Sequence, residues 1–73
     1  MQRARIHDTF EQDLKEAISW LKKTQYEMML AKTHDEGAVH GLDQKIRVDS
    51  QLTWDDKAKL LAEVNGVLPR YAS

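Results

Sequence analysis

From Asp8 to Lys32 the chain holds neither glycine nor proline, and its apolar residues recur at helical spacing. Phe10, Leu14, Ala17, Ile18, Leu21, Met28 and Met29 fall on one side, interrupted only by Gln25. Asp8 and Glu11 stand where a capping box would open. The pattern predicts a first helix over about residues 9–32, roughly 36 Å long, and Ile6 would carry the same stripe further back. Thr33-His34-Asp35-Glu36 reads as a second capping box. It opens a shorter helix over about 34–47 with Val39, Leu42 and Ile46 inward, in which Gly37 and Gly41 each cost about 1 kcal/mol relative to Ala.

The apolar period is lost between Arg47 and Leu52, which reads as a turn. Thr53 then caps a third helix over about 54–66, with Asp55 and Asp56 against the positive end of its dipole. Its predicted stripe is Trp54, Leu61, Val64 and Leu68, with Leu60 beside it. Asn65-Gly66 reads as a stop and Pro69 as a bar to continuation, which leaves residues 69–73 as a mobile tail. The expectation is one all-α domain over 1–73: a long N-terminal helix packed by two shorter ones, as a helical hairpin or three-helix bundle.

On the first helix the apolar arc runs from Trp20 and Ala31, through Phe10, Leu21 and Met28, to Ile18 and Met29. It is near ~180° wide, against the ~100° that suffices for a helix on a single core. Tyr26 and Leu30 fall outside it, on the polar back. Two short helices cover such an arc only in part, so Trp20, Tyr26, Met28, Met29 and Leu30 are assigned to a partner or dimer interface. A chain of 73 residues without cysteine has no disulfide to staple it. The sequence therefore predicts a homodimer at micromolar concentration, its long helices pairing antiparallel to complete a bundle.

Charge is abundant and balanced, 11 basic against 12 acidic residues. That distribution argues against nucleic-acid binding, for which the only basic cluster is Arg3 and Arg5. A small dimeric nucleic-acid-associated regulator using those two as an arm is the alternative function. A helix-turn-helix reading is rejected, because Asp55 and Asp56 would lead the recognition helix towards phosphates. No segment has the ~20 apolar residues of a membrane span, no apolar core marks a signal peptide, and cytoplasm is the expected compartment. His34, Asp35, Glu36, His40 and Asp43 gather imidazole and carboxylate, but without the spacing of a metal motif they read as a solvated helix start. No metal site, cofactor, catalytic residue or enzymatic activity is expected. The predicted function is a non-enzymatic protein-interaction module: an adaptor, assembly factor or inhibitor of a larger protein.

Overall fold

The computed structural model describes residues 2–72, and side-chain surroundings over residues 9–70. Three helices follow in order: α1, Gln2–Ala31; α2, Glu36–Val48; and α3, Trp54–Ala72. α1 is the longest and begins well before the predicted start, so Asp8 lies inside the helix rather than at its cap. It closes at Leu30, whose carbonyl accepts from both the Thr33 backbone N–H (3.2 Å) and the Thr33 hydroxyl (2.7 Å). Thr33 thus ends α1, and the cap of α2 is Asp35, whose Oδ1 accepts from the Ala38 N–H at 2.8 Å.

α2 and α3 pack chiefly on each other, joined by a turn over 49–53. Their shared core is Val39, Leu42 and Ile46 from α2, Leu52 from the turn, and Leu60 and Val64 from α3. The α2 stripe is the predicted one. On α3 the inward line is rotated: Leu60 and Val64 are fully buried, Leu61 and Leu68 are only half-buried, and Trp54 is 82% exposed. Trp54 belongs to the first turn, beside the α2–α3 connection, where Lys57 Nζ sits 5.1 Å from its ring centre. The same ammonium donates to the carbonyl of Arg47 at 2.9 Å and ties the end of α2 to the start of α3.

The predicted stop at Asn65-Gly66 does not act, and residues 69–72 continue α3 instead of forming a separate tail. Among the described residues no glycine has positive φ, so Gly66 supplies no left-handed cap. Val67 and Leu68 pack against the core just beyond it, which holds the backbone helical through Pro69 despite the amide that proline lacks.

Among the described residues α1 contributes Tyr26 and Leu30 to the buried apolar set. Before Ile18 it buries nothing among the described residues: every side chain from Thr9 to Ala17 is exposed. The molecule is correspondingly elongated, 58 × 16 × 16 Å, with a Cα radius of gyration of 15.4 Å. A compact chain of this length would have about 11 Å.

Candidate interaction surface

The α1 side chains buried against the hairpin, among the described residues, are Ser19, Tyr26 and Leu30, spaced by seven and four. Ser19 is fully buried and supplies both kinds of hydrogen-bond partner to the start of α3. Its hydroxyl donates to Asp56 Oδ2 at 2.6 Å, accepts from the Thr53 N–H at 2.8 Å, and lies 3.2 Å from Thr53 Oγ1. Thr53 Oγ1 in turn accepts from the Asp56 N–H at 3.2 Å, the cap predicted for this helix. Ser19 therefore joins α1 to the capped end of α3. A fully buried hydroxyl whose donor and acceptor capacity is spent on the cap of α3 is closed to solvent and acts as a structural clamp.

Tyr26 makes the second polar tie. Its hydroxyl donates to Asp49 Oδ2 at 2.7 Å, while Lys22 Nζ reaches the same oxygen at 3.2 Å. Burial pushes the phenol up to about 12 from 10.0, reinforced by the hydrogen bond to Asp49 and its charge. For Asp49 itself burial acts upward, yet the bonds from Tyr26, the Gln51 N–H and Lys22 together hold it below its ordinary value. Lower down the bundle Glu63 is raised, by burial first and then by neighbouring Glu27, with Lys23 opposing.

This geometry corrects the placement of two of the five predicted interface residues. Tyr26 (8% exposed) and Leu30 (6%) are intramolecular core, while Trp20, Met28 and Met29 are exposed. The hairpin packs on what the sequence presents as the polar back of α1. The broad apolar arc points the other way, with Phe10 63%, Leu14 50%, Leu21 55% and Met28 55% exposed. At 100° per residue the two faces are separated by roughly 160°.

The outward face has a finer order. Phe10, Leu14, Ala17, Leu21, Thr24, Met28 and Ala31 follow one another at intervals of four and three. That is the a/d seam of a heptad repeat, sustained for three heptads. Gln12, Ser19 and Tyr26 occupy the position diametrically behind the seam, so the repeat and the hairpin use opposite sides of one helix. The assigned set omitted Phe10, Leu14 and Leu21, although their 3.5-residue period was present in the sequence.

The histidine-containing cluster is committed to local structure. Asp35 caps α2, Glu36 lies 3.4 Å from His40, and Asp43 pairs with Arg47 at 3.1 Å. Among the described residues no three His, Cys, Asp or Glu side chains converge in a metal-binding arrangement. A surface cleft of about 390 Å³ between α1 and the turn is lined by Lys15, Ile18, Ser50, Gln51, Leu52 and Thr53, with no carboxylate or imidazole to serve as acid or base. No described helix is long and apolar enough to cross a membrane. The side chains of Arg3 and Arg5 lie outside the described residues. No protein-family model, curated protein or solved structure matches the chain.

Proposed function

We propose that this chain is a non-enzymatic protein-interaction module that works by presenting the outward face of α1 to another helical surface. The observation that carries this reading is the heptad seam from Phe10 to Met28, exposed at every position but half-buried Thr24 while the fold closes on the opposite side of the helix. Large apolar side chains in a continuous exposed row are a surface suited to association. Helix-in-groove recognition uses anchors at this spacing. Trp20 on one flank and Met29 on the other extend the patch with the residue types that interface cores favour. Exposed Asp13 and half-buried Glu27 lie on the Trp20 side, and Glu11 and Gln25 on the other, as a polar rim that tunes the choice of partner. An adaptor, an assembly factor or an inhibitor of a larger protein would each operate through such a surface.

Leu21→Asp tests the proposal at the centre of the seam. Leu21 is exposed and stands outside the buried core, so the variant should keep the helical circular dichroism of the parent. Affinity capture from the source lysate should lose its bound protein with Leu21→Asp and retain it with Gln44→Ala, exposed on the side of α2 that points away from its core line. Equal capture by parent and Leu21→Asp would refute the assignment of this face.

A further inference from the structure

Resting on that reading of the outward face, we infer that its occupant is a second copy of this chain, antiparallel about a two-fold axis level with Ser19. The seam is self-complementary about that level. Reversing α1 on itself sets Phe10 against the second copy's Met28, Leu14 against its Thr24, and Ala17 against its Leu21. Two of these layers pair a large side chain with a small one, as interdigitation requires, and the third pairs an aromatic ring with a thioether, a favourable contact. A parallel pair stacks like on like instead. Ala17 would then face Ala17 and Thr24 would face Thr24, leaving voids between layers held apart by Leu21 and Phe10.

A two-fold interface must be one patch that fits itself, and this patch does. The reversed pairing brings Ile18 against Ile18 and Trp20 against Trp20 on the flanks of the axis. Farther out it sets Glu11 beside Gln25, and Asp13 beside Glu27 of the second copy. This last is a like-charged contact that opposes the pairing slightly, kept small by the exposure of Asp13. Six exposed residues, Phe10, Leu14, Trp20, Leu21, Met28 and Met29, offer on the order of 600 Å² of apolar surface per copy. Full burial of these side chains with their rim would approach the ~800 Å² per partner of a standard stable interface. The pairing also covers the exposed start of the seam in each copy. Phe10 and Leu14, which the copy's own hairpin leaves open, come to lie against the other copy's Met28 and Thr24, while both hairpins stay on the outside.

The chain has no cysteine, so introduced thiols report directly on register. Thr24→Cys and Leu14→Cys are each prepared in the full chain, then oxidised mildly alone and as an equimolar mixture. In the antiparallel dimer like positions lie roughly 15 Å apart along the axis, beyond disulfide reach. The mixture should therefore form a Leu14→Cys–Thr24→Cys disulfide dimer at least about five times more efficiently than either variant alone. Ready linking of Thr24→Cys to itself would overturn the arrangement in favour of a parallel one. Absence of any linked dimer, with a monomer mass by light scattering for the unsubstituted chain, would overturn the second copy altogether. If that monomer still loses a captured larger protein on Leu21→Asp, the interaction face stands while its self-pairing falls. If Leu21→Asp alters neither mass nor capture, both fall together.

Discussion

At the scale of single residues, two polar side chains decide which side of α1 meets the hairpin. Ser19 and Tyr26 break no apolar rule. They satisfy the Thr53 N–H, Asp56 and Asp49, groups that would otherwise be left short of partners as the hairpin closes on α1. The Tyr26–Asp49 bond has a pH signature whose sign follows from its shifts. A phenol raised from 10.0 to about 12 in the folded chain stabilises the fold fully below 10, and that contribution is lost as pH rises through about 12. Tyr26→Phe should cost about 1.5 kcal/mol at neutral pH, the worth of a hydrogen bond to a charged group. Thermal melts of parent and variant should converge between pH 10 and 12. A gap of constant size across that window would show that the hydroxyl contributes nothing through Asp49. At the acid end, Asp49 lies below its ordinary value, so the stability it lends is present at neutral pH and fades as pH falls through its folded value.

At the scale of elements, the core stripe of α2 and the start of α3 were legible in the sequence because each signal there has one meaning, whereas the α2 cap fell on Asp35 instead of Thr33. Val39, Leu42 and Ile46 are the only large apolar residues of the segment apart from terminal Val48, and Thr53 is the one hydroxyl placed to start α3. α1 was legible as a helix but not in its orientation. Its inward line holds Ser19, Tyr26 and Leu30, which hydrophobic counting scores as mostly polar, while the line that scores as core faces solvent. A periodicity reports which residues share a face. What that face meets is decided by the hydrogen-bonding needs of distant segments, and these are not written locally. The end of α3 was misread for a related reason, since Val67 and Leu68 find the core beyond Gly66. Gly41 gives the element-scale test. It lies inside α2 with no heavy atom within 4 Å of where a Cβ would stand. Gly41→Ala should stabilise the fold by about 1 kcal/mol, raising the melting temperature by roughly 4–8 °C. An unchanged or lower melting point would mean that α2 is not helical at Gly41 in solution.

At the scale of the whole molecule, the fold divides its labour along one helix. The hairpin carries most of the buried core, α1 joins it through two apolar residues and two polar ties, and the remaining face of α1 is left as a row of apolar side chains. Chains this short bury too little surface to be generously stable alone, and association is one route to more burial. If a second copy covers the seam, stability must depend on concentration, because mass action favours the state that pairs. The direct measurement is the melting temperature of the unsubstituted chain over a hundredfold range of protein concentration, beside Leu21→Asp. The parent should melt about 5 °C or more higher at the concentrated end, while Leu21→Asp holds a single, lower value throughout. A parent melting temperature that stays fixed across the range would contradict the pairing of α1 with a second copy.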